Sequence, residues 1–374
     1  MKKDSRYEVK FFYSTDQIDK NEWNSIVDEN FILNSYEYQS AIEKSGINNF
    51  RYGYFMIYEE NKLIAHISTG ILEFELDMMA GNFIKKITGF VRKIFPNFLK
   101  MKVIECGHPT ALGNTITLTS KEYFKDVLFI LEYELTKLAK REKTSIVAIR
   151  DCYPKDLKDF IHLNKKGYKK FQNLPNTFIK TQDYGDFEDY LNDLTAKRRH
   201  EIKKHLEIFE KSGCEIVKIE DFSEISAEIE KLWINTFKHS KDYQREILNK
   251  DYFSNISKNL GEKSFVFVCK YEGKLIGFTM FIDSGEELIS TYCGLDYEYS
   301  RDFNIYFVLF YKSVEEAIKL KKRYLELGIT NYNPKIEIGA IPEPVYVFSK
   351  STNPFVNLFF VPLMGAITAV PDFN

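Results

Sequence analysis

Apolar positions recur along this chain at two periods, about two in some segments and about three and a half in others, and the switches between them outline its elements. In the first half YEVKFFY (7–13) reads as a strand, and STDQIDKNEWNSIVDEN (14–30) as a helix opened by a Ser/Thr/Asp cap. SYEYQSAIEKSG (35–46) is a second helix ending on Gly46. RYGYFMIYEENKLIAHISTGILEFEL (51–76) contains two strand-like runs about the polar turn Glu60-Asn61, which predicts a hairpin. A short strand MKVIECG (101–107), a long amphipathic helix KEYFKDVLFILEYELTKLAKREK (121–143) and an apolar strand SIVAIRD (145–151) follow.

The second half repeats this order. CEIVKIED (214–221) is a strand, and SEISAEIEKLWINTFKHS (223–240) and DYFSNISKNLG (251–261) are helices. Residues 264–296 make three strands with turns at Glu272-Gly273 and Ser284-Gly285. The helix IYFVLFYKSVEEAIKLKKR (305–323) and the strand YLELGIT (324–330) close the repeat. FMIYEENKLIAHISTGIL and FVCKYEGKLIGFTMFID share strand, acidic turn, Lys-Leu-Ile, small residue and strand, so a duplicated unit is expected, roughly 170 to 190 residues apart. Mixed helix and strand in each copy implies an α/β (α+β) class with mixed sheets flanked by helices. The expected domains are 1–184, with an insertion at 78–102, and 185–374, with an apolar tail.

A chain of 374 residues suits two domains. Its 52 basic and 54 acidic residues nearly cancel, so any polyanion site is local, and DNA binding is not expected. Five scattered cysteines, never in a C-x-x-C pair, argue against disulfides and zinc, and no metal is expected. The start lacks the apolar run of a signal peptide, and no stretch reaches the ~18 to 20 apolar residues that span a bilayer. A cytoplasmic setting is the expectation.

Strand, two helices, hairpin strands, strand, long helix and strand is an order that resembles the GNAT acyltransferase fold. Two copies in one chain look like its FemAB-like branch, the peptidoglycan biosynthesis and recognition proteins. Three segments carry the likeness: NKKGYKKFQNLPNTFIKTQDYGDFEDYLNDLTAKRRHEIKK (164–204), YKSVEEAIKLKKRYLELG (311–328) and LGITNYNPKIEIGAIPEPVYVF (327–348). The resemblance implies an N-acyltransferase moving an acyl group from acyl-CoA or another acyl thioester to an amine acceptor. Its alternatives are an aminoacyl-tRNA-dependent transferase acting on a cell-wall precursor, with tRNA as partner, and a non-catalytic binding protein.

The segment FEDYLNDLTAKRRHEIKKHLEIFEKSG (187–213) places seven basic or imidazole side chains within nine positions. Apolar residues recur through it at helical spacing, so it reads first as a helix joining the copies, with Lys197, His200, Lys203 and Lys204 on a wet face. Arg198 and Lys204 are candidates for holding a coenzyme phosphate or tRNA. Acyl-CoA-using relatives bind pyrophosphate at a glycine-rich turn before a helix. Here DYEYSRDFNIYFVLF (296–310) keeps Arg301 and the helix start near Asn304 but lacks the glycines. CGHPTALGNTITLTS (106–120) in the first copy bears Gly107 and Gly113 instead. Amine attack on an acyl carbonyl needs a base and donors for the oxyanion. Glu337 as base and Lys335 as orienter or anion binder are the candidate pair, with Tyr292, Tyr311 and Asn331 as further candidates; Cys293, His108 and His239 have no partner residues placed beside them by sequence.

MMAGNFIKKITGFVRKIFPNFLKMK (78–102) sets Phe83, Ile84, Ile87, Phe90, Val91, Ile94, Phe95 and Phe98 on one face among six basic and no acidic residues. That pattern fits an interfacial membrane helix, a lid over an amphiphilic substrate, or a helix packed on its own domain. The apolar, Pro-interrupted tail 351–374 fits a segment that completes the core, lines an acyl channel or docks on the same membrane.

Overall fold

The computed structural model describes residues 6–75, 82–95, 100–144, 146–240 and 246–358. Its strands are β1 (Tyr7–Phe12), β2 (Arg51–Glu59), β3 (Lys62–Glu75), β4 (Lys100–Cys106), β5 (Ile116–Leu118), β6 (Ile146–Cys152) and β7 (Lys169–Lys180). They continue as β8 (Glu215–Ile219), β9 (Ser264–Tyr271), β10 (Lys274–Ser284), β11 (Glu287–Leu295), β12 (Tyr324–Glu326) and β13 (Ile341–Ser351). Among the described residues all belong to one 13-stranded mixed sheet, ordered β1-β2-β3-β4-β6-β13-β7-β12-β11-β10-β9-β8, with β5 on β3. The two central strands are exchanged between the halves. β7 follows the first copy yet pairs with β12 of the second, and β13 ends the second copy yet lies between β6 and β7.

The local chemistry explains most elements. Glu60 and Asn61 have φ of 47° and 63°, and Glu272 and Gly273 have 49° and 77°, so both two-residue turns twist with the strands they join. All seven residues of β6 are buried, as its apolar run predicts.

Three details differ from the pattern-based reading. Residues 14–30 do not form one helix, because Ser14, Asp19 and Asp28 each cap a new short turn with a side-chain oxygen. The basic junction segment is two helices, Phe187–Asp193 and Ala196–Lys211, because Thr195 accepts from the Arg198 N–H and starts the second. The spacing of the copies is also not constant. Lys62 and Lys274 open corresponding strands more than 200 residues apart, while Phe124 and Ile305 open corresponding helices about 180 apart. The insertion between β3 and β4 of the first copy accounts for the change.

One apolar core belongs to both copies. Trp23, Tyr38 and Tyr54 from the first half pack with Trp233, Tyr252, Phe253 and Phe278 from the second. Each large ring so buried contributes about 1.5–3 kcal/mol, which welds the halves into one body. Gly294 of β11 lies against this core. A methyl there would stand 2.6 Å from backbone atoms of Leu232 and Trp233 and 2.4 Å from the Phe278 ring. Backbone cannot swing aside as a side chain can. Gly294→Ala is therefore expected to destabilise the protein by about 3 kcal/mol or more, read as a lower urea midpoint; an unchanged midpoint would show that the helix Ser226–His239 can shift.

Candidate functional site in the second copy

In both copies a parallel strand pair opens into a V. β4 and β6 stay paired from Val103↔Ile146 to Cys106↔Ile149. β11 and β12 pair only from Glu287↔Tyr324 to Ile289↔Glu326. Beyond that point β11 follows β10 as far as Leu295, while the other chain turns to β7. There the Leu327 N–H donates to the Thr177 carbonyl at 2.8 Å, and the Thr177 hydroxyl donates to the Gly328 carbonyl at 2.6 Å. The split between β11 and residues 327–331 follows from that choice of partner.

The first V is closed by its own side chains. Arg150 reaches Glu105 at 3.0 Å and Asp151 at 3.5 Å, and Asp151 accepts from the Gly113 N–H at 3.2 Å. His108 is buried beside them, 3.3 Å from Gln39 Nε2, with its pKa pushed down to about 3 by burial and then by Arg150.

The second V has different contents. Glu326, at its base, is 6% exposed. Burial, then the neighbouring Glu287, pushes its pKa up to about 8, against the pull of Asn176 and Lys335. Lys335, from the short helix Tyr332–Glu337, is 5% exposed. Its ammonium donates to the carbonyls of Gly328 at 3.2 Å and Ile329 at 3.4 Å. Burial pulls its pKa down to about 8, while Cys293 and Glu326 hold it up. The loop it grips is strained: Gly328, Thr330 and Asn331 all have positive φ, and at 79° Thr330 places a β-branched residue where such residues are rare.

The other candidates divide into three groups. Asn331 donates to the Tyr306 hydroxyl, and Cys293, half-buried on β11, is the charge partner that both Tyr306 and Lys335 sense. Arg301 is exposed just before Asn304, which has φ of 54° and begins the helix Ile305–Lys319. These residues flank the second V. Glu337 does not join Lys335. It lies exposed in a shallow depression with Arg198, Glu201, His205 and Tyr311, where His205 Nδ1 and the Tyr311 hydroxyl are 2.8 Å apart. Tyr292 is held elsewhere, its one hydroxyl proton shared between the Thr110 carbonyl at 2.9 Å and Glu246 at 2.6 Å. His239 stacks on Tyr297 at 4.1 Å.

The basic junction helix is largely committed to the protein itself. Arg199 caps the carbonyls of Leu191 and Asn192, and Lys203 pairs with Glu188 at 2.9 Å. Lys197, His200 and Lys204 remain exposed. The periodicity of the sequence did not single out Glu326 or Asn176. The one signal for Glu326 is an acidic residue inside the otherwise apolar YLELGIT.

Residues 14–355 match the family model described as FemAB-like, peptidoglycan biosynthesis/recognition. The chain belongs to the FemAB-like family. The same fold is found in the crystal structure of FemX, 12% identical, with a TM-score of 0.58 over 94% of this chain and 99% of that one. It is also found in a tandem GNAT protein from the clavulanic acid biosynthesis pathway, 10% identical, with a TM-score of 0.52 over 93% and 99%. The FemAB-like chain thus has the tandem GNAT architecture. Curated relatives from two Mycobacterium tuberculosis strains, named 8-amino-7-oxononanoate synthase 2, are 28% identical over 329 residues. That match covers 85% of this chain but 42% of theirs, so the chain spans less than half the length of these relatives.

Proposed function

We propose that this FemAB-like protein transfers an acyl group from a thioester to a primary amine, in the V between β11 and residues 327–331. The observation that carries the reading is a buried carboxyl and a buried amine at the base of the second V, where no ion pair among the described residues fills the space as Arg150 with Glu105 and Asp151 fills the first. The acceptor nitrogen attacks the acyl carbonyl carbon, the new C–N bond forms, and the C–S bond breaks to release the thiol. Glu326, directly or through one water, takes the proton the amine must lose; a base with a pKa near 8 is well matched to that task. Lys335 stabilises the developing oxyanion or the leaving thiolate. Asn331 and Tyr306 line the mouth, and Arg301 with the amides after Asn304 receives the donor's phosphates.

The base role that sequence assigned to Glu337 passes to Glu326, because Glu337 is exposed in a different depression. Arg198 and Lys204, on the junction helix, suit an anionic carrier such as tRNA better than a coenzyme at the V. An amphiphilic amine, met at a membrane surface, is the acceptor class favoured here.

A thiol-release assay with acetyl-CoA, a long-chain acyl-CoA and a panel of amines tests this, beside a thermal-shift titration. A ligand bound only by the folded state stabilises it by about 2.7 kcal/mol at a hundredfold excess over Kd. Thiol release that depends on the amine supports the reading. No shift and no release with any thioester, alongside transfer from aminoacyl-tRNA, replaces the thioester with the Fem-type donor.

A further inference from the structure

The insertion helix Asn82–Arg92 between β3 and β4 turns its apolar side outward. Ile87 is 49% exposed, Phe90 and Ile94 66% each, and Phe95 64%, while among its described side chains Thr88 is the buried one. This reverses the ordinary polarity of a surface helix, whose apolar stripe faces the core. Lys86 and Lys93 stand exposed beside those residues, and all six charges in 78–102 are basic.

Strand register places a second apolar segment at the same edge of the sheet. Lys100 at the start of β4 pairs with Glu75 at the end of β3, and Val103 is level with Ile146, the first residue of β6. Ile146 is level in turn with Ser351, the last residue of β13. The chain therefore leaves the sheet after Ser351 at the edge that carries the insertion. It turns there through residues 354–358, tied down where Asn357 donates to the Gly167 carbonyl at 3.0 Å. Phe355 and Leu358 on this turn are 77% and 63% exposed. Lys102, Lys143, Lys165, Lys166 and Lys169 are exposed around the same edge. Glu73 stands opposite Lys102 and Glu75 opposite Lys100, and Glu142, beside Lys143, is bound by Arg51.

We propose that this edge docks on a membrane surface rich in anionic lipid, with Ile87, Phe90, Ile94, Phe355 and Leu358 entering the headgroup boundary and the lysines meeting lipid phosphates. Apolar side chains ringed by lysine are what such a boundary rewards: the apolar atoms leave water while the ammonium groups stay at headgroup level. A protein partner of ordinary composition would leave the lysine excess unmatched, and a second copy would bring lysine against lysine. The proposal does not depend on the transfer chemistry, since its readout is binding.

Co-sedimentation of the full chain with phosphatidylglycerol-containing vesicles and with pure phosphatidylcholine vesicles tests it. The protein is expected to pellet with the anionic vesicles, far less with the neutral ones, and less as salt is raised. Phe90→Glu/Ile94→Glu and, separately, Lys86→Glu/Lys93→Glu should each weaken anionic-vesicle binding by about tenfold or more while keeping the melting temperature, because these side chains are exposed in the fold. Phe355→Glu tests the second segment in the same way. Wild type left in the supernatant with both vesicles, or variants that pellet like wild type, overturns the proposal. A wild-type dimer that Phe90→Glu/Ile94→Glu turns into a monomer, with no vesicle capture, would assign the face to a second copy instead.

Discussion

Glu326→Gln is expected to lower kcat/KM for acyl transfer by about two to three orders of magnitude, the scale of a lost general base. Glutamine keeps the shape and the Asn176 contact but cannot take a proton. The pH profile separates this from a structural effect. Glu326 works ionised, so the rate rises as pH climbs toward its pKa; Lys335 works protonated, so the rate falls once its proton is lost. Both groups lie near 8 in the folded protein, so wild type should show a narrow bell there, whose two apparent pKa values belong to the pair. Glu326→Gln should remove the rising limb, and Glu326→Asp should restore part of the rate. Lys335→Met should abolish the falling limb and, by removing the grip on Gly328 and Ile329, raise KM as well. Wild-type rates in both Gln and Met variants would send the search for the base back to Glu337 and its depression.

The second large effect is on stability in acid. His66 and His108 are both buried, and burial lowers each pKa to about 3. In the unfolded chain they titrate near 6.5. A folded pKa below the unfolded one means the unfolded state binds protons first, so the stabilisation is complete above about 6.5 and is lost as pH falls toward 3. Each histidine contributes a slope of about 1.4 kcal/mol per pH unit across that window. Urea midpoints between pH 7 and pH 4 should fall accordingly. His66→Phe, which keeps a ring against Trp23 where the native pair stacks at 3.7 Å, should flatten the fall. An unaltered pH dependence in that variant would mean that His66 is charged in the fold.

Much of this architecture was legible in the pattern of apolar residues. The Lys-Leu-Ile repeats betrayed the duplicated hairpins, and the run IVAIRDC announced a strand buried on both faces. The exchange of β7 and β13 was not legible, because register across the centre depends on partners far apart in the chain. Neither was the fate of Lys335 and Glu337. Two positions apart in a short helix, they face different surroundings, one toward the buried loop 328–329 and the other toward His205 and Tyr311. Glu326 escaped because burial of a single carboxyl is a tertiary fact; its strand reads as apolar with or without it. The insertion shows the opposite case. Its amphipathic face was plain in sequence, but only the structure shows that face turned outward at Ile87, Phe90, Ile94 and Phe95.

Hydrogen exchange with and without a thioester donor tests the central claim most directly. If the donor sits in the V of the second copy, saturating acyl-CoA should slow amide exchange in Ser290–Leu295, in residues 327–337 and at the start of the helix Ile305–Lys319, and leave residues 107–113 of the first copy unchanged. Protection confined to 107–113, or none from any donor while aminoacyl-tRNA protects the junction helix Ala196–Lys211, would contradict it.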